Sequence, residues 1–294
     1  MENTDKPSNA TFCAHFETLL NPPNTVDPRE YMPAQYRYIP ILDNPIDVSE
    51  VIRCIGRLKT NKSAGTDGIP PGILKSLPDQ WLPLLTHIFN LVFFGHYPKN
   101  WTMLKIFTIF KKGRRDDPDN FRGISIISAI PKLYDSILSN RFSMWYTPRI
   151  EQAGAQPGRS CEEQILCLKL LIDIAQKTGN TLYIVFIDYR KAYDRVNRAK
   201  LVEYLDSKGC GNTFLKALQQ AMISSGTIGD QVFQTGVGVK QGGSTSCNSF
   251  TGYIDPTIDA VNSSEPDGWL GDVHMNAVYG RHSDSCIVQN KHDR

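Results

Sequence analysis

Residues able to do phosphate or metal chemistry fall in three places along this sequence. The first is Phe186-Ile-Asp-Tyr-Arg-Lys-Ala-Tyr-Asp-Arg-Val196, where the apolar run Leu182 to Ile187 ends at Asp188. A carboxylate at the carboxyl end of a strand sits where ligands collect in α/β sheets. Such an oxygen suits Mg2+, which takes one or two carboxylates together with substrate phosphates. The competing reading is that Asp188 only caps the turn after it. The second place is Gly236-Val-Gly-Val-Lys-Gln-Gly-Gly-Ser-Thr-Ser246. A Gly-rich turn opening a helix brings backbone close to a ligand and offers N–H groups to anions, although a plain hairpin turn has the same composition. The third is the pair Lys111 and Arg122, beside two predicted strands. An Arg fork and a Lys point charge can clamp a triphosphate; two solvated charges beside a turn is the plainer reading.

The elements that must position these groups follow from apolar spacing. Ser49 precedes Val51, Ile52, Ile55 and Leu58, the pattern of a capped amphipathic helix. A Gly/Asp loop, Asn61 to Pro70, comes next, then a helix over 79–95. Lys105–Phe110 and Gly123–Ile127 read as strands on either side of a charged turn. Helices are predicted over 131–145, 161–176, 198–207 and 213–223, with a hairpin over 226–239 and a helix from 246. Leu182–Ile187 is apolar almost throughout, which predicts a buried central strand. Residues 1–48 are polar and Pro-rich and read as an extended arm with little core of its own. Helices and strands alternate irregularly, so the fold class is α+β.

Composition limits the remaining classes. The chain has 294 residues, 40% hydrophobic and 21% charged, enough for a sizeable core and for about two domains. No apolar run approaches the ~20 residues of a membrane helix, and the N-terminus has no basic-then-apolar signal pattern. Seven scattered cysteines without a Cys-x-x-Cys pair argue against a zinc site or a disulfide scaffold. The net charge is only +2. Between Lys105 and Arg159, however, ten basic residues face five acidic ones, a local excess that fits either phosphate or a solvated strip.

Six ordered blocks make the chain resemble the reverse transcriptase domain of non-LTR (LINE-type) retrotransposons. They are Asn61–Pro70, Trp101–Lys111, Asn120-Phe-Arg-Gly-Ile-Ser125, Lys132 with Arg141, Phe186–Val196 and Val237–Gly242. The resemblance spans about residues 50–270 and implies a right-hand polymerase, fingers and palm, working on an RNA template, a DNA primer and deoxynucleoside triphosphates with Mg2+ or Mn2+. Asp188 matches the first metal-binding aspartate, with the Tyr189 carbonyl also facing the metal. Tyr193 matches the aromatic that excludes a ribose 2′-hydroxyl. Gln241 and Gly242 match the loop that positions template and nucleotide, and Lys111 and Arg122 the triphosphate contacts. Lys132, Arg141 and Lys240 fall where template–primer contacts are expected; a solvated helix face explains Lys132 and Arg141 equally well. The implied division is an arm (1–48), fingers and partial palm (49–275), and a tail (276–294), with no membrane association and an intracellular setting in nucleus or cytoplasm.

The tail departs from the family, which places a Tyr/Met-x-Asp-Asp hairpin there; no Asp-Asp occurs after Asp188. Back-translating Asn276-Ala-Val-Tyr-Gly-Arg-His-Ser283 and reading one nucleotide later can give Met-Leu-Tyr-Met-Asp-Asp-Thr. The sequence therefore predicts a chain whose frame shifts after about Met275, with an incomplete palm, no thumb, and no activity as written. The competing function is a non-catalytic nucleic-acid-binding remnant. A Mg2+-dependent phosphatase or nuclease built on Asp188 and Asp194 leaves Gln241-Gly242 unexplained.

Overall fold

The structure, a computed structural model, describes residues 6–263, 275–278 and 285–290. In chain order its elements are α1 (Asn9–Leu20), α2 (Pro40–Asp43), α3 (Val48–Arg57), α4 (Gly72–Lys75), α5 (Leu82–Phe93), β1 (Met103–Phe110), β2 (Phe121–Ile126), α6 (Ala129–Trp145) and α7 (Cys161–Thr178). They continue with β3 (Leu182–Ile187), α8 (Arg198–Ser207), α9 (Asn212–Met222), β4 (Ser224–Ile228), β5 (Gln231–Thr235), α10 (Ser246–Ser263), β6 (Met275–Val278) and β7 (Ser285–Asn290). The mixture of helix and sheet is the α+β class that the spacing predicts. Two compact units divide the chain: residues 1–146 with 193–246, and residues 147–192 with 247–294.

The first unit is built on a four-stranded sheet in the order β2-β1-β4-β5. β1 pairs antiparallel with β2, Lys105 opposite Ile126 and Phe110 opposite Phe121, and parallel with β4, Met103 opposite Ser225. Side chains alternate between faces. One face carries Phe121 and Gly123 and is covered by α1, whose Phe12, Cys13 and Phe16 are buried with Phe121, Ile228 and Phe233. Phe12 meets Phe121 edge-on at 4.9 Å between centroids, and Phe16 stacks on Phe233 at 6.3 Å. The opposite face leaves Phe107 and Ile109 about half exposed.

The arm reading of residues 1–48 therefore needs correction. Ser8 caps α1 by accepting the Thr11 N–H at 3.1 Å, and the helix supplies aromatic core. Leu42 and Ile46 are buried too, and polar bonds strap this segment to α8 and α9. Arg37 pairs with Asp206 at 2.6 Å, Asn212 accepts the Arg37 N–H at 2.7 Å, and Asp43 accepts the Phe214 N–H at 2.8 Å. Apolar residues spaced along a polar, Pro-rich sequence hide in its average; packing decides. The cap of α3 also differs: the capping residue is Asp47 and not Ser49, Asp47 accepting the Ser49 N–H while the Glu50 carboxylate accepts the Asp47 N–H, a capping box.

The second unit holds α7, capped by Ser160 at one end and by left-handed Gly179 at the other, and a three-stranded sheet in the order β3-β7-β6. β3 runs antiparallel to β7, Ile187 opposite Ser285. Among the described residues the predicted buried central strand is thus an edge strand. An apolar run signals a strand suited to cover on both faces, yet β3 has β7 as its ladder neighbour and leaves Val185 and Phe186 exposed. β6 and β7 fall largely in the tail segment 276–294. Among the described residues no helix is long and apolar enough to cross a membrane.

Candidate nucleotide and nucleic-acid site

The Gly-rich stretch after β5 runs through bends at 236–238 and a turn at 241–242, and the amides of residues 236–239 are distributed among three neighbours. The N–H groups of Gly236 and Val237 donate to the Leu20 carbonyl at the end of α1 (2.8 and 3.0 Å). Gly238 donates to Val196 and Val239 to Tyr193, each at 2.8 Å. Gly238 has φ +83°, and a Cβ there would lie 2.9 Å from the Asp194 carbonyl oxygen. Gly242, at φ +123°, would put a Cβ 2.7 Å from the Ser125 carbonyl oxygen. Glycine is required at both points by conformation and by contact.

Gln241 is held from two sides. Its carbonyl accepts the Ser125 N–H of β2 at 2.8 Å, and its side-chain Nε2 donates to Asp194 Oδ1 at 2.7 Å. Tyr193 and Asp194 lie in the short turn Tyr193–Arg195, so Tyr193, Gln241 and Gly242 are assembled in the first unit by a few short bonds. A pocket against this seam is lined by Leu104, Ser125, Asp194, Arg198, Lys240 and Gln241, among others.

Lys111 and Arg122 are also in this unit. Arg122 stands opposite Ile109 in the β1–β2 ladder, and the Lys111 N–H extends the ladder by donating to Asn120 at 2.9 Å. Alternation puts both side chains on the open face of the sheet, away from α1. Lys240 is partly buried in the pocket wall, and burial pushes its pKa down to about 8. Lys132 is half-buried in the first turn of α6.

Arg141 is a correction. It is 3% exposed and wholly engaged: its guanidinium pairs with Glu50 at 2.7 Å and donates to the carbonyls of Leu42, Asn44 and Pro45. Nine residues along a helix from Lys132, it stands on the inner side of α6, where it ties α2 and α3 to the helix. It is not available to a template phosphate.

Asp188 and Tyr189 belong to the second unit; Asp188 follows β3 directly and is exposed. Two divalent ions need several converging oxygens. Among the described residues no group of three or more His, Cys, Asp or Glu side chains converges, and the Asp194 carboxylate receives Gln241. The described residues do not make up the donor set of a two-metal centre.

Two positioning residues escaped the sequence. Arg198 is buried and donates to the carbonyls of Thr235, Val237 and Gly238 at 2.7–2.9 Å, and burial lowers its pKa to about 10. Asp135 accepts the N–H groups of Ser244 and Thr245 (2.5 and 3.2 Å) just ahead of α10. The signal was present in both: a charged residue among the apolar positions of a predicted helix.

Residues 109–281 match the reverse transcriptase (RNA-dependent DNA polymerase) family. With more than half of its length inside that match, the chain belongs to this family, as a domain of the non-LTR retrotransposon type. It is 34% identical over 158 residues to a probable RNA-directed DNA polymerase from transposon BS of Drosophila melanogaster, covering 52% of the chain and 17% of that protein. It is 27% identical over 231 residues to the retrovirus-related Pol polyprotein from the type-2 retrotransposable element R2DM of the same organism, covering 76% and 21%. The RNA-directed DNA polymerase from mobile element jockey, also from Drosophila melanogaster, is 31% identical over 160 residues, covering 51% and 17%. The chain thus spans about a fifth of the length of these curated relatives.

Proposed function

We propose that the chain carries the template- and nucleotide-handling part of an RNA-directed DNA polymerase, with fingers and part of a palm, acting on an RNA template, a DNA primer and deoxynucleoside triphosphates. The observation that supports this most directly is the fixing of Gln241 between Ser125 and Asp194, beside the turn that carries Tyr193. In this reading Lys111 and Arg122 hold the triphosphate, the first as a point charge and the second through its fork. Tyr193 abuts the sugar, where an aromatic ring leaves no room for a 2′-hydroxyl. Gln241 and Gly242 support the template–nucleotide pair, and Lys132 and Lys240 add positive charge along the nucleic acid.

Asp188, with the Tyr189 carbonyl beside it, is the first oxygen donor for Mg2+ or Mn2+. Two-metal nucleotidyl transfer needs further carboxylates, and the sequence has no Asp-Asp after Asp188. An Asp-Asp read one nucleotide out of frame over 276–282, which back-translation allows, would complete the donor set. The chain as written binds nucleic acid but does not extend a primer.

Primer extension on an RNA template with Mg2+ tests this reading. Three proteins are compared: this chain, the chain with its frame restored after Met275, and the restored chain carrying Asp188→Ala. Extension by the restored chain alone is expected. Extension by the chain as written overturns the frame reading, and salt-insensitive or absent RNA binding by every form overturns the polymerase reading.

A further inference from the structure

The carboxylate of Asp194 sits six residues beyond Asp188, where sequence alone makes it a second metal-ligand candidate. Its surroundings give it other work. Asp194 Oδ1 accepts the Gln241 side-chain amide at 2.7 Å. Two backbone bonds join the same segments, Val239 N–H to the Tyr193 carbonyl and Gly238 N–H to the Val196 carbonyl, both 2.8 Å, and the Gln241 bond extends this set by one further point. Gly238 lets the two chains approach until a Cβ would touch the Asp194 backbone. On its far side Gln241 is fixed through its carbonyl by Ser125 of β2.

We infer that Asp194 is a positioning residue that locks the turn carrying Tyr193 to the segment carrying Gln241, and so sets how strictly the site excludes a ribose 2′-hydroxyl. The inference rests on the reading of Tyr193 and Gln241 given above. Two backbone bonds alone can hinge about the chain axis. The side-chain bond at Gln241 adds a third point, and three points fix one segment on the other as a rigid piece. A ring that discriminates one hydroxyl group needs such fixing, because a displacement of about 1 Å admits the extra oxygen.

The lock is an acceptor–donor pair, so it can be reversed. Gln241→Glu sets two carboxylates against each other. Asp194→Asn combined with Gln241→Glu restores a bond with donor and acceptor exchanged. Two readouts are taken on each variant and on Asp194→Ala, in the full chain. One is hydrogen exchange at the Gly238 and Val239 amides. The other is equilibrium binding of dGTP against GTP in the presence of an RNA template and DNA primer with a templating C.

Asp194→Ala and Gln241→Glu are expected to speed exchange at both amides by about fivefold or more, the size of one lost hydrogen bond. They should also lower the preference for dGTP, and the reversed pair should recover both. Unchanged exchange and preference in Asp194→Ala, with preference lost in Tyr193→Ala, overturns the lock and leaves the site reading intact. A preference unaffected by Tyr193→Ala as well overturns the site reading itself. Failure of the reversed pair to recover either readout, although it folds, also overturns the lock.

Discussion

Arg141 and Glu50 form an ion pair at 2.7 Å across α6 and α3, with the arginine 3% exposed. The same guanidinium caps three carbonyls at the end of α2 and lies over the ring of Phe93 at 5.1 Å. A buried pair whose remaining donors are all used holds elements together, and removal of one partner leaves an uncompensated charge. Arg141→Ala should lower stability by about 3–5 kcal/mol. Urea unfolding reads this directly. RNA affinity of the folded fraction should stay unchanged; a loss below about 1 kcal/mol, or a selective loss of RNA binding, would contradict the structural role.

The partner carboxylate gives a pH signature. Burial pulls the Glu50 pKa up, but the Arg141 hydrogen bond, the Asp47 N–H and the charges of Arg141 and Arg53 outweigh it, and the net shift is downward. A carboxyl group whose folded pKa lies below its unfolded one contributes stability above the unfolded value, and loses it as pH falls through the folded value. Stability should therefore hold at neutral pH and drop in the acid range below the ordinary glutamate pKa of about 4.3. Glu50→Gln should be less stable at pH 7 and less acid-sensitive, measured as unfolding midpoints from pH 7 to pH 3.

Lys240 has the opposite sense. Its folded pKa of about 8 lies below the ordinary lysine value of about 10.4. Between those values the unfolded chain binds a proton that the folded one has released, so stability rises with pH across the window. Lys240→Met should abolish that rise and weaken RNA binding with a smaller salt dependence. Unfolding curves at pH 7 and pH 10, with RNA titrations at two salt concentrations, check both.

Phe16 binds α1 to the sheet through Phe233 of β5 and stacks on Phe12 of its own helix. Phe16→Ala should cost about 3–5 kcal/mol, as expected for emptying an aromatic site in a core. The change should also raise amide exchange at Gly236 and Val237, whose N–H groups end on Leu20 of the same helix. Undisturbed exchange there would separate α1 from the Gly-rich segment.

Gly242→Ala meets two obstacles, φ +123° and a Ser125 carbonyl oxygen 2.7 Å from the new Cβ. A loss of about 1–3 kcal/mol is expected, together with weaker nucleotide binding, since the same strand contact fixes Gln241. Gly68→Ala, also at positive φ but with open space around it, should lose stability through conformation alone.

The sequence by itself determined the elements and the family. Apolar periodicity gave the helices ending near Trp145 and Thr178 and the strands on either side of the charged turn, because spacing along a chain reports local geometry. Block order carried the family, because residue types fixed by chemistry keep their sequence positions. Which charges face a ligand was decided by tertiary structure alone. Arg141 and Lys132 look alike in sequence, and only the fold of α2 and α3 around α6 turns one of them inward. Asp188 and Asp194 look like a pair, and only the fold gives Asp194 to Gln241. The apolar run of β3 was legible, but its edge position was not, because burial depends on neighbours that a strand does not encode. The Phe12 and Phe16 contacts in an otherwise polar arm were hidden for the same reason: burial is a property of pairs of elements distant in sequence, and spacing within one element does not contain it.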